Sequence, residues 1–139
     1  MKGWTQAVAF DYDGTLALHG RVTGDARKAL ADARAGGLVL LLVTGRRAPE
    51  MHRIFPQSEE LFDAVVSENG ALLSVRGSTL RLASVLPAEF STRLTELGID
   101  YELGECILSC DISRVQDVTQ TIAQLKLDLQ VVPNRGRVM

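Results

Sequence analysis

Cysteine, aromatic residues and proline are scarce in this chain. Two cysteines in 139 residues are too few for a disulfide scaffold. Aromatics make up 5%, which speaks against a surface that stacks nucleic-acid bases. An excess of one charge is missing too. The chain has 15 Lys and Arg against 17 Asp and Glu, a net charge of -2 and a pI near 5.7, so nucleic acid is not held by bulk charge. The longest apolar run, residues 38–43, falls far short of a bilayer, and Met1-Lys2-Gly3-Trp4 opens neither a signal peptide nor a spanning helix. These absences point to a soluble, cytoplasmic protein with no membrane or nucleic-acid partner. What is present is a hydrophobic fraction of 46%, enough for a core in one medium domain or two very small ones.

The first half alternates strands and helices. Residues 7–10 form a short, wholly apolar strand of the kind buried on both faces in a parallel sheet. A helix over 24–35 follows, with Ala26, Ala29, Leu30 and Ala33 on one stripe. Thr23 caps it, Asp25 suits its positive end, and Gly36-Gly37 stops it. Residues 38–43 read as a second apolar strand, 49–55 as a short helix closed by Pro56, and 64–67 as a third strand. Parallel neighbours need crossover helices, so this order predicts a doubly wound α/β sheet.

The rhythm changes after about residue 70. Residues 71–75 and 79–83 flank Arg76-Gly77-Ser78 as a hairpin. Residues 87–97 read as a helix, 106–110 as a strand, and 113–125 as a helix opened by Ser113 and Gln116 at capping-box spacing. Residues 129–132 close the pattern as a strand, and 137–139 begin another. The second half is therefore a small α+β layer.

Chemistry concentrates at two strand ends. In Phe10-Asp11-Tyr12-Asp13-Gly14-Thr15-Leu16, two carboxylates follow a buried strand, where open α/β sheets bind ligands. One aspartate there can attack phosphorus, and its neighbour can move the proton. Both are negative, as is a phosphorylated substrate, so a divalent cation is needed, and oxygen-only ligands favour Mg²⁺. Asp13-Gly14 as a hairpin turn and Asp11 as a helix cap are the plain alternatives. A Ca²⁺ loop fails on spacing, because Leu16 stands where glycine is required and Val22 where glutamate is required. At the second strand end, Val43-Thr44-Gly45-Arg46 supplies a hydroxyl, an unhindered amide and a cation, which together suit phosphate. Its alternative is a strand ending in a glycine turn with a solvated arginine.

Asp11-Tyr12-Asp13-Gly14-Thr15-Leu16 resembles the first signature of the haloacid-dehalogenase (HAD) superfamily of phosphohydrolases, and Val43-Thr44-Gly45-Arg46 resembles the second. Ser67-Glu68-Asn69-Gly70-Ala71 is similar to the segment found in the branch with a type II cap. The resemblance implies a Rossmann-like partial core over residues 1–75 and an α+β cap over 76–139. It implies Asp11 as nucleophile and Mg²⁺ ligand, and Asp13 as general acid/base that also binds Mg²⁺. Thr44 and the Gly45, Tyr12 and Asp13 amides would hold phosphoryl oxygens with Arg46 beside them, and Glu68 and Asn69 would line the pocket. The substrate would be a small phosphorylated metabolite.

The family pattern also carries a late lysine and a late acidic cluster. The lysines here are Lys2, Lys28 and Lys126, and Asp128 is the last carboxylate. The expectation is therefore an N-terminal portion with little or no turnover alone, whose first strand has an open apolar edge. That edge would take a complementing C-terminal segment or a second copy. A non-catalytic phosphate- or metal-binding module is the alternative. A receiver domain is disfavoured because both carboxylates share one strand end, and a dinucleotide fold because no Gly-x-Gly-x-x-Gly follows a strand. Cys106 and Cys110 read as buried fillers, Trp4 as packing, and His19, His52, Arg135 and Arg137 as solvated.

Overall fold

The computed structural model describes residues 6–134 and 136–139, so Trp4 and Arg135 lie outside it. Two compact units are present, Met1–Ala83 and Ser84–Met139.

In the first unit, β1 (Ala7–Asp11), α1 (Gly24–Ala35), β2 (Val39–Val43), α2 (Ala48–Ile54), α3 (Ser58–Leu61) and β3 (Ala64–Ser67) build the α/β portion. Two antiparallel strands, β4 (Leu72–Val75) and β5 (Ser78–Arg81), extend it, giving the order β1-β2-β3-β4-β5. β1, β2 and β3 run parallel and in order. Both crossovers step the same way across the sheet, and right-handed crossovers then put their helices on the same face. The register and burial agree. The row Phe10–Leu42–Val65 faces a core that also holds Leu30, Met51, Phe55 and Phe62. The opposite row runs Asp11–Val43–Val66–Leu73–Leu80 across all five strands. None of its members is buried, and Val43 is 40% and Leu80 58% exposed.

The local signals of α1 act as expected. Thr23 caps it by accepting from the Ala26 amide at 3.2 Å, and Gly37 turns the chain with φ 90°. The burial expected of the first strand is not met. Ala7, Val8 and Ala9 are exposed, because among the described residues β1 is an edge strand and no helix covers its second face. The β4–β5 turn is tighter than three residues. Val75 pairs with Ser78, leaving Arg76 (φ 50°) and Gly77 (φ 76°) as its two left-handed residues. This pairing keeps β5 in the first sheet.

The second unit packs α4 (Ala88–Glu96) and α5 (Val115–Leu125) on a four-stranded antiparallel sheet of order β6-β7-β9-β8. Its strands are β6 (Tyr101–Leu103), β7 (Leu108–Asp111), β8 (Pro133–Asn134) and β9 (Arg137–Val138). Phe90, Leu94, Leu108, Cys110, Val118 and Val138 form its core. The capping box expected from Ser113 and Gln116 is not formed. The Ser113 hydroxyl donates to Asp111 at 2.6 Å, and Asp111 itself caps a short 3₁₀ turn, Ile112–Arg114, before α5. Residues 129–132 are not a strand. Leu129 and Val131 pack on the core, and Val132 alone joins the ladder through two bonds with Met139.

Candidate active site

Asp11 ends β1 in register with Val43, so the two signature segments leave the sheet side by side. Its carboxylate is exposed and has no ion pair among the described residues. Beyond it the chain folds back on itself. The Leu16 amide donates to the Asp11 carbonyl (3.2 Å), Ala17 to Tyr12 (2.8 Å) and Gly14 to Ala17 (3.2 Å), with Gly14 at φ 80°. Asp13-Gly14 is therefore not a hairpin turn between strands, since the sheet partner of β1 is parallel. Asp11 is not a helix cap either, because the next helix begins at Gly24 behind Thr23. Tyr12 plugs the core completely and donates its hydroxyl to the Gly20 carbonyl at 3.1 Å. That burial raises the phenol above its ordinary value, and because the residue has no exposed surface, the Tyr12 amide, which the sequence placed against phosphate, is not presented to a ligand.

At the end of β2, the Thr44 amide donates to the Val66 carbonyl at 2.9 Å, and its buried hydroxyl accepts from the Arg46 amide at 3.1 Å. Arg46 was expected to serve phosphate, but its guanidinium is committed elsewhere. It grips Asp13 in bidentate fashion, Nε to Oδ2 at 2.8 Å and Nη2 to Oδ1 at 2.9 Å. It also pairs with Glu50 and lies 5.6 Å from the Tyr12 ring centroid. The hydrogen bond to Asp13 is the first cause holding Arg46 above its ordinary value. Glu50 was missed in the sequence, although its i,i+4 spacing from Arg46 is a readable signal.

At the end of β3, the 3₁₀ turn Glu68–Gly70 carries three consecutive left-handed residues, with φ 54°, 56° and 94°. Glu68 is fully buried, which does not suit a residue lining an open pocket, and Asn69 stays exposed. His19 tips an exposed turn, and His52 is an exposed residue of α2.

Among the described residues no group of three His, Cys, Asp or Glu is gathered for a metal. The donors that fit Mg²⁺ are oxygen donors: the exposed Asp11 carboxylate and the backbone of Asp13. Mg²⁺ is commonly held by one or two carboxylates with the substrate phosphate, and these are the donors of that kind at the site. The Asp13 carboxylate, held by Arg46, is not presented to a cation.

This fold recurs in solved structures. A subclass IIB sugar phosphatase of the HAD superfamily is 25% identical, with a TM-score of 0.53 over 75% of this chain and 43% of its own. A HAD-superfamily phosphatase from Bacteroides thetaiotaomicron is 24% identical, with a TM-score of 0.53 over 94% and 50%. A Thermoplasma acidophilum protein is 18% identical, with a TM-score of 0.70 over 99% and 65%. The chain thus spans less than two thirds of each of these neighbours. Among curated proteins none matches it. The acidic and hydroxyl side chains stand at adjacent carboxyl ends of parallel strands, where open α/β sheets bind their ligands. This chain belongs to the haloacid dehalogenase-like hydrolase family, whose model matches residues 8–127.

Proposed function

We propose that the chain carries the nucleophile-bearing part of a Mg²⁺-dependent phosphohydrolase for a small phosphorylated metabolite, in a cytoplasmic setting. The first unit corresponds in this reading to the N-terminal half of a core and the second to a cap. One Asp11 carboxylate oxygen attacks phosphorus, and the bond to the leaving oxygen breaks. Asp13 gives that oxygen a proton, and an aspartyl-phosphate remains. Asp13 then takes a proton from water, whose oxygen attacks the same phosphorus and releases phosphate with the Asp11 carboxylate restored. The Thr44 hydroxyl and the Gly45 and Asp13 amides hold the phosphoryl oxygens. Mg²⁺, held by Asp11 and the Asp13 carbonyl, supplies charge neutralisation when bound.

One observation carries this reading: an exposed Asp11 stands in register with the strand that delivers Thr44, while Asp13 is held from that same second loop by Arg46. Arg46 favours the ionised Asp13, the form needed to deprotonate water. The acid role requires Asp13 to leave the guanidinium first. Beryllofluoride with Mg²⁺ tests the site. Binding is expected to shift the amide signals of residues 11–16 and 44–46, and Asp11→Asn is expected to abolish it. A wild-type chain that does not respond ends the proposal.

The open edge of β1 and the uncovered row through Val43, Val66 and Leu73 support a further part of the proposal. A complementing polypeptide segment covers them, supplying the late lysine and acidic cluster of the family pattern. Hydrolysis of p-nitrophenyl phosphate by this chain alone is then expected to be barely detectable. Rapid turnover abolished by Asp11→Asn would refute that part.

A further inference from the structure

We propose that Glu68 is a positioning residue that staples the loop after β2 to the turn after β3 and so keeps Arg46 on Asp13. The proposal rests on the phosphohydrolase reading for its consequence in catalysis, and on geometry alone for the staple. Glu68 is a carboxylate with no exposed surface, at the start of three left-handed residues. A non-glycine residue holds that conformation only where its surroundings demand it. The demand is visible in the backbone. In this turn the Glu68 amide donates to the Arg46 carbonyl at 2.9 Å, while its side-chain Oε1 accepts from the Ala48 amide at 3.4 Å. The two bonds bracket Arg47 and close the loop from both sides. One strand pair below, the Thr44 amide donates to Val66. Residues 44–48 are therefore hung at three points, one on β3 and two on Glu68 just after it, and the guanidinium that grips Asp13 projects from the middle of that span. An acceptor at position 68 is what the staple needs.

The test uses the whole chain and two ways of cutting the same bond. Glu68→Ala removes the acceptor. Ala48→Pro removes the donor at the first residue of a helix, where proline is tolerated and the preceding Arg47 is already extended (ψ 145°). Both are expected to speed hydrogen exchange of the Arg46 Nε–H about tenfold, with the Leu42 amide unchanged as a control for global unfolding. Glu68→Gln, which keeps the acceptor, is expected to stay within about threefold of wild type. Inorganic phosphate with Mg²⁺ is the second readout, and its affinity should fall with Glu68→Ala and recover with Glu68→Gln. An Arg46 Nε–H that exchanges at the wild-type rate in both Glu68→Ala and Ala48→Pro overturns the proposal. So does a Glu68→Gln variant as loose as Glu68→Ala. If the wild-type chain binds no phosphate, the phosphohydrolase reading falls, and the exchange rates still decide the staple.

Discussion

The two sheets solve the same burial problem with different completeness. In the second unit, inward residues of β7 and β9 (Leu108, Cys110 and Val138) meet α4 and α5. The alternate residues Glu102, Ser109, Asp111, Asn134 and Arg137 are polar, and Arg137 binds both the Ser109 hydroxyl (2.7 Å) and Glu102 (3.1 Å). One layer of helices therefore finishes that sheet. In the first unit, β2 is apolar on both sides, and its helices all pack against the Leu40 and Leu42 side. An alternating antiparallel sheet needs one covering layer, and a continuous apolar parallel sheet needs two. The first sheet has half of what its own sequence asks for.

The largest effect expected from this contrast lies within β2. Leu42→Ala should cost about 2–5 kcal/mol in denaturant unfolding, because it empties a packed core. Leu41→Ala, one residue away on the uncovered side, should cost about 1 kcal/mol or less. Equal costs would mean that the second face is covered after all. In the second sheet, Asp111 sharpens the comparison through pH. Hydrogen bonds from Ser113 lower its carboxyl below the ordinary value. Its folded-state value is depressed, so its stabilisation is present above the ordinary carboxylate range and is lost as pH falls through the folded value. Asp111→Asn should therefore flatten the acid side of the melting curve of this unit, measured as Tm against pH. The smallest effect belongs to the polar face. Glu102→Gln removes one partner of a half-exposed ion pair with Arg137 and should change stability by about 0.5 kcal/mol or less. A larger loss would mean that this face is shielded from water.

Much of the fold was legible because its signals are local. The cap at Thr23, the stop at Gly36-Gly37, the apolar run of β2 and the turn at Arg76-Gly77 each act within a few residues. β6, three residues long, carries too little pattern to be read, and α3 is a single turn. The capping box failed because Ser113 had a better acceptor two residues back in Asp111. At the site, the pairing of the two signature segments was readable, since the ends of parallel neighbours must meet. The partner of Arg46 was not. Nothing local tells a guanidinium whether to choose a phosphate or a carboxylate 33 residues away.

By itself the sequence determined the kind of elements, their order and the residues gathered at the carboxyl ends of β1 and β2, because hydrophobic period and turn chemistry are properties of neighbouring residues. Tertiary structure alone decided that, among the described residues, one face of the first sheet stays bare, that Arg46 grips Asp13, and that Glu68 is buried beneath the loop that holds Asp13. Those outcomes follow from the direction of the crossovers and from contacts between residues far apart in the chain, which no short stretch of sequence encodes.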